Sequence, residues 1–439
     1  MLYFQSDDNI RDRVSRRDIR IGFIGLGRVG LPLAATLAKE GFPITGVDIN
    51  KDIVITLNDG RCPIPDEQGL SEIISGVTAG GKLRAIWNLS DARDCDVYII
   101  AVPTLIRGEE PDIDAVEKVA LDLAAYIHPG QVVVLQSTVP PGMTERLMGT
   151  FVTRSATLTA GVEYGLAYSP ERTQAPQVLS DLRTYPKIIG GIDDKSALIL
   201  AQIYGTFAPS IIRLSSITAA ELDKVVENTY RDVNIAFANE LAQICDIYGV
   251  DINEIIAAAN SQPYSHILNP GLVGGHCIPM DPYYVISDLT HKGYWPKLIK
   301  ASRDLNESIF KNIVHELGEE SKQVTILGLS FKKDIKSFDT SHSLKLIKLL
   351  EDNGKRVIVH DPFITHEQFT FETKADVYEA CRGSDCIIVS TAHSEYKTLD
   401  LGKLSSVVKG KLFIDLRSLF NPSEVVPFGL NYRGIGSMR

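Results

Sequence analysis

A thiol, an imidazole and a carboxylate stand close together in Gly274-Gly275-His276-Cys277-Ile278-Pro279-Met280-Asp281-Pro282-Tyr283-Tyr284. A thiolate is a strong nucleophile. Asp281, four residues on, can accept a proton. Two glycines ahead of the cysteine remove side-chain bulk, so a large ligand can approach the backbone there. His276 could assist the thiol, or it could shape the loop instead. Near the start of the chain, Gly25-Leu26-Gly27-Arg28-Val29-Gly30 has the spacing of a dinucleotide-binding loop. A thiol, a carboxylate and a nicotinamide site in one chain point to an oxidation that passes through a covalent sulfur adduct.

The loop has the flanks it needs. Residues 20–25 read as a buried strand, residues 31–39 are apolar at helical spacing, and residues 43–47 form a second strand that ends at Asp48. Gly25 allows the tight turn, Gly27 lets the backbone reach a pyrophosphate, and Gly30 lets helix and strand pack closely. The helix N-terminus meets the negative charge. Asp48, 18 residues after Gly30, can accept hydrogen bonds from a ribose diol and would repel a 2′-phosphate. NAD is therefore favoured over NADP.

Further strands are predicted over residues 97–102, 131–136, 166–168 and 187–190, with helical segments between them. This alternation implies a doubly wound parallel sheet. Residues 217–248 form a long helical pattern, on the order of 45 Å at 1.5 Å per residue. Lys224 and Asn228 share one face of it, and Glu221 and Arg231 extend the polar stripe. From pattern alone this stripe is equally the solvated side of an amphipathic helix. The last third repeats the opening: strands over 324–328, 356–360 (ending at Asp361) and 412–415, with a helix over 343–353. The fold class is therefore α/β, with two Rossmann-like doubly wound domains joined by a long central helix and a small helical domain. The expected boundaries are 1–18 for a leader, 19–212 for an NAD-binding domain, 213–312 for a central domain and 313–439 for a C-terminal domain. Residues 1–6 look like a tag remnant and residues 7–18 like a polar, partly disordered lead-in.

Composition narrows the setting. The 439 residues carry a net charge of −10, 44% apolar and 23% charged side chains, ordinary for a soluble chain. An acidic balance argues against nucleic acid. No apolar run approaches the roughly 18 residues that span a membrane, and no signal segment is visible. The six cysteines show no metal-ligand spacing, so no metal is expected and reduced thiols in the cytoplasm are the default. Cys95, Cys245 and Cys386 read as packing residues.

With these features in place, the chain resembles the UDP-sugar 6-dehydrogenases from about residue 19 to about residue 433. The motifs are the 25–30 loop, Val102-Pro103-Thr104, Ser137-Thr138-Val139-Pro140-Pro141-Gly142, Ser169-Pro170-Glu171-Arg172, residues 221–239, residues 274–284 and Phe331-Lys332-Lys333-Asp334. Gly-Gly-His-Cys and Glu227-Asn228-Thr229-Tyr230-Arg231 are similar to the branch that acts on UDP-N-acetylhexosamines. The resemblance implies oxidation of a primary alcohol to a carboxylate with two NAD, UDP-N-acetylmannosamine being the favoured substrate.

It also implies roles for particular residues. Cys277 would be the nucleophile. Lys224 and Asn228 would surround an oxyanion or water, and Asp281 would work with Lys224 on the alcohol proton. Glu171 would serve thioester hydrolysis, with Thr138 near the nicotinamide. Arg28, Val29, Val102, Pro103, Thr104 and Ser137 would complete the cofactor site. Arg172, Arg231, Gly274, Gly275, Lys332 and Arg417 would join Lys224 and Asn228 against the UDP-sugar. A homodimer through the long helix is expected.

The chain departs from the family in two places: Thr173-Gln174-Ala175-Pro176 after the Glu171 motif, and Ser341-His342 where relatives carry an arginine that helps hold the cofactor. Three alternatives stay open at this point. They are a UDP-glucose 6-dehydrogenase, a two-electron β-hydroxyacid dehydrogenase, and a nucleotide-sugar-binding regulator without turnover.

Overall fold

The structure, a computed structural model, describes residues 1–436. The last three residues of the expected C-terminal domain lie outside them. The chain forms two compact units, Met1–Glu227 with Tyr283–Gly293, and Asn228–Pro282 with the residues from Tyr294 on.

The first unit is built on β1 (Ile21–Ile24), β2 (Ile44–Val47), β3 (Leu83–Ile86), β4 (Val97–Ile100), β7 (Val132–Leu135), β8 (Gly165–Tyr168), β9 (Lys187–Gly191) and β10 (Ile211–Leu214). Between β4 and β7 a small hairpin pairs β5 (Leu105–Arg107) with β6 (Glu110–Asp112). The large sheet has the order β10-β9-β8-β7-β4-β1-β2-β3. Its central strands β1, β4 and β7 are buried at every position. Continuous apolar runs of this kind suit a parallel sheet covered on both faces. Helix Gly30–Lys39 leaves β1 and buries nine of its residues.

The expectation of a wholly parallel sheet needs one correction. β8 and β9 pair antiparallel while β9 and β10 are parallel, so the last two strands run against the rest. Strand direction is set by the path of the connecting chain, and apolar patterning carries no mark of it.

The leader also needs correcting. Asp7–Ser15 is a helix with Ser6 as N-cap, Asp7 and Asp8 in its first turn, and Ile10 and Val14 buried. These two are four residues apart on one face, and the many charges around them hid that spacing. Leu2 and Tyr3 belong to the core of the first unit, where the Tyr3 N–H donates to Gly130 O at 2.8 Å.

The second unit holds β11 (Gln323–Leu327), β12 (Arg356–His360), β13 (Glu372–Thr373), β14 (Cys386–Val389), β15 (Leu412–Asp415) and β16 (Asn431–Gly434). The order β13-β12-β11-β14-β15-β16 is parallel throughout, and it reverses between β11 and β14 as in a dinucleotide-binding fold. Helix Ile217–Tyr248 runs unbroken for 32 residues through the boundary between the units. Cys95, Cys245 and Cys386 are buried, as packing residues should be. Among the described residues no helix is long and apolar enough to cross a membrane, and no group of three His, Cys, Asp or Glu could hold a metal.

Candidate active site

In the first unit the expected cofactor residues gather at the carboxyl ends of β1, β2, β4 and β7. Gly25 has φ +96°, and a Cβ there would lie 2.4 Å from Ala101 O. A Cβ on Gly30 would lie 2.0 Å from Gly25 O. Both positions therefore require glycine. Gly27 is different, because nothing stands within 4 Å of the Cβ it lacks. Its backbone faces open space, which suits a pyrophosphate. Helix Gly30–Lys39 has no side-chain cap at its N-cap residue, Val29; Leu31 N donates to Gly27 O at 3.0 Å, and no side chain covers the helix N-terminus, which suits an anion.

Asp48 accepts from Leu26 N and from Asn50 N, each at 2.8 Å. Each oxygen keeps a lone pair for a ribose diol. Arg28 is half turned to solvent and pairs with Asp66 at 2.6 Å. The Ser137 hydroxyl is spent on Val102: it donates to Val102 O at 2.7 Å and accepts from Val102 N at 3.0 Å. That double bond locks β7 to the Val102-Pro103-Thr104 turn. Thr138 and Thr104 are partly exposed beside it, and Pro103 is exposed.

Glu171 follows β8 and is buried. Its carboxylate accepts from Arg172 N, Thr173 N, Gln136 Nε2 and Lys187 Nζ. Burial pushes its pKa up, but Lys187 and the hydrogen bonds from Thr173 together hold it below the usual carboxylate range. Arg172 forms an ion pair with Glu227. Glu221, read as part of the polar stripe, does something else. It is fully buried, accepting from Gly142 N at 2.5 Å and Thr144 N at 2.8 Å. It thereby caps helix Met143–Ala156, whose N-cap glycine has no side chain to do so. Lys224 is 9% exposed, one turn before Asn228.

In the second unit Asn228 Nδ2 donates to Asp281 Oδ2 at 2.6 Å. The Cys277 carbonyl accepts from Met280 N and Asp281 N at 3.1 and 2.8 Å, which closes the turn that starts helix Asp281–His291. Pro282 occupies a first-turn position where its missing N–H costs nothing. Among the described residues, which include all six cysteines, Cys277 is the exposed one.

The two glycines before it serve a purpose other than the expected one. A Cβ on Gly274 would lie 2.8 Å from His342 Nδ1, and one on Gly275 (φ +89°) 3.3 Å from the Phe331 ring. What approaches this backbone closely is the protein itself. Gly275 N also donates to Thr340 O at 3.0 Å.

Arg417 donates from Nε to Ser390 O at 2.8 Å, and its Nη2 lies 2.8 Å from His342 Nε2 and 3.2 Å from Nδ1. His342 Nε2 lies 2.9 Å from the same carbonyl. Burial, then Arg417, holds His342 well below its ordinary pKa, so it is neutral. Burial pulls Arg417 down to about 10. Ser341 caps helix His342–Asp352 through Ser343 N at 3.0 Å. Lys332 and Arg231 are half-buried.

Asp361 repeats Asp48 in the second sheet. It accepts from Leu329 N at 2.7 Å, as Asp48 does from Leu26 N. Here, however, His393 Nε2 adds a bond at 3.0 Å, and the acid is 3% exposed. The acceptor expected to meet a ribose diol in the first unit has its counterpart in the second closed by this histidine. This difference between the halves went unseen in the sequence, because His393 lies 32 positions from its partner.

Matches to known proteins follow the same division. Profiles of the UDP-glucose/GDP-mannose dehydrogenase family match at residues 19–208 (NAD binding domain), 218–308 (central domain) and 325–422 (UDP binding domain). A UDP-N-acetyl-D-mannosamine dehydrogenase of Pyrococcus horikoshii is 31% identical over 95% of this chain and 99% of its own. The chain belongs to the UDP-glucose/GDP-mannose dehydrogenase family. Another family member, the UDP-N-acetyl-D-mannosamine dehydrogenase of Methanococcus aeolicus, is 32% identical over 97% of both chains. Among solved structures of the family, a UDP-D-ManNAc dehydrogenase from P. horikoshii aligns with TM-score 0.88 at 31% identity, covering 95% of this chain and 99% of that one. An NDP-N-acetyl-D-galactosaminuronic acid dehydrogenase from Methanosarcina mazei aligns with TM-score 0.86 at 28% identity, covering 98% of both. Membership makes the protein an oxidoreductase with a nucleotide-binding domain at each end.

Proposed function

We propose that this protein oxidises the C6 alcohol of a UDP-N-acetylhexosamine, UDP-N-acetylmannosamine first among them, to the uronic acid with two NAD. The observation that carries the reading is the exposed Cys277 thiol on the turn that begins the Asp281 helix, with Asp281 held by Asn228 at 2.6 Å. The open backbone at Gly27, the uncapped helix beside it and the Asp48 carboxylate fit a dinucleotide. When bound, NAD supplies the hydride acceptor for each oxidation.

The chain's own groups divide the remaining work. Lys224 stabilises the alkoxide and Asp281 takes the alcohol proton, with Asn228 fixing the carboxylate. Cys277 sulfur bonds to the aldehyde carbon and keeps this reactive carbonyl on the protein. The second oxidation turns that adduct into a thioester, which water cleaves, the step that Glu171 and Thr138 serve. Arg417, Lys332, Arg172 and Arg231 hold the UDP-sugar, and a cytoplasmic setting fits the reduced thiol. The deciding experiment counts NADH released per sugar across UDP-glucose and the UDP forms of N-acetylglucosamine, N-acetylmannosamine and N-acetylgalactosamine. Two NADH per acid with an N-acetylated sugar is expected. Turnover confined to UDP-glucose would overturn the choice of sugar.

Asp48→Ala should lower the preference for NAD over NADP in kcat/KM by roughly tenfold or more, since it removes a charged acceptor for the ribose. An unchanged ratio would remove Asp48 from that contact. The partner reading is a homodimer through the long helix, supported by exposed Leu222, Val226, Tyr230, Phe237 and Ile244. Phe237→Glu with Ile244→Glu should sediment as a monomer; wild-type sedimentation would exclude this face.

A further inference from the structure

Glu171 is held more completely than a water-activating carboxylate needs. Its Oε1 accepts from Arg172 N at 2.8 Å and Thr173 N at 3.0 Å, and its Oε2 from Gln136 Nε2 and Lys187 Nζ, each at 2.9 Å. Two carboxylate oxygens offer about four acceptor positions, and all are filled. The donors differ in how firmly they are fixed. Two are main chain. Lys187 is 4% exposed at the start of β9, its ammonium 5.6 Å from the centre of the Tyr204 ring. Gln136 is the exception. Its own carbonyl oxygen is buried without a hydrogen-bond partner, so nothing pins the amide from its other side. Gln136 also directly precedes Ser137 and Thr138 at the end of β7. Of the four donors, its amide is the one a water can displace at least cost.

We propose that Lys187 is a positioning residue for thioester hydrolysis: it fixes Glu171 as an anion whose Oε2 takes a hydrogen bond from the attacking water in place of the Gln136 amide. The assignment rests on the dehydrogenase reading above. In the step it serves, the water oxygen bonds to the acyl carbon and the C–S bond breaks with its electron pair on sulfur. One water proton returns to the Cys277 thiolate, and the carboxylic acid formed releases the other to solvent. A carboxylate buried among neutral donors alone would hold its proton to higher pH. With the ammonium beside it, Glu171 stays ionised and offers a fixed acceptor.

The test is pre-steady-state NADH formation by the full chain with NAD and UDP-N-acetylmannosamine, or whichever UDP-hexosamine the screen identifies. Lys187→Met should keep the fast burst of two NADH per site while its steady-state rate falls at least about tenfold. Intact mass should show the acyl adduct accumulating on Cys277, and the acid limb of the pH profile should move to higher pH. Lys187→Arg keeps the charge and should leave that limb in place. The double variant Lys187→Met with Glu171→Gln, which removes both buried charges and stands in if the single variant fails to fold, should hydrolyse no more slowly than Glu171→Gln alone. An unmoved acid limb, a burst slowed as much as the steady state, or a double variant tenfold worse than Glu171→Gln would each overturn the assignment. A wild type that releases no NADH with any UDP-sugar would sink the dehydrogenase reading; a wild-type burst with unaffected Lys187→Met sinks this assignment alone.

Discussion

Cys277→Ala should abolish uronic acid formation, lowering the rate by roughly 10³-fold or more, as expected for loss of a covalent nucleophile. The variant should release at most one NADH per sugar, because nothing on the protein then captures the aldehyde for the second oxidation. Nucleotide-sugar affinity should be nearly unchanged. The thiol is exposed, so the substitution empties little packed volume. Mass spectrometry of the quenched wild-type reaction should find an acyl adduct on Cys277. Steady formation of acid with two NADH by the alanine variant would remove the covalent step.

Arg303→Met should cost about 3–5 kcal/mol of stability, the usual penalty for stripping one partner from a buried ion pair. Arg303 and Asp232 are 1% and 0% exposed and meet at 2.9 Å. Asn306 donates to the same carboxylate at 2.8 Å, and Asn239 passes the chain of bonds on to Gly271. Burial raises Asp232 to about 6 even with the guanidinium pulling the other way. The sign follows from that elevation. A carboxylate whose folded pKa lies above its unfolded value of 3.8 penalises the fold when ionised, and the penalty fades as pH falls through about 6 towards 3.8. Without Arg303 the folded pKa rises further, so relief begins at higher pH. Denaturant unfolding at pH 7.5 and 5.5 should show the variant's deficit shrinking on acidification. A deficit that stays constant or grows would place the missing stability in packing.

The parallel strands were legible because a strand buried on both faces must be apolar throughout, and residues 356–360 and 412–415 came out with the observed bounds. Gly25 and Gly30 were legible for the same kind of reason, since each sits where any Cβ collides with backbone. The unforeseen features depend on partners distant in sequence. Lys187 lies 16 residues from Glu171, and Arg417 lies 75 from His342. No periodicity links such pairs, because they meet only after the sheet has formed. Glu221 looked like a member of a polar stripe, yet it faces inward to cap a helix 77 residues away.

The contact between Gly274 and His342 has a consequence for protein engineering. The ring nitrogen would sit 2.8 Å from any Cβ added at position 274. A cysteine segment transplanted from a cousin enzyme with a larger residue there will not seat in this scaffold unless the backbone at position 342 shifts with it, because the His342 main-chain N and Cβ would also lie 3.0 and 3.1 Å away. The two sites are one design variable, although 68 positions of chain separate them.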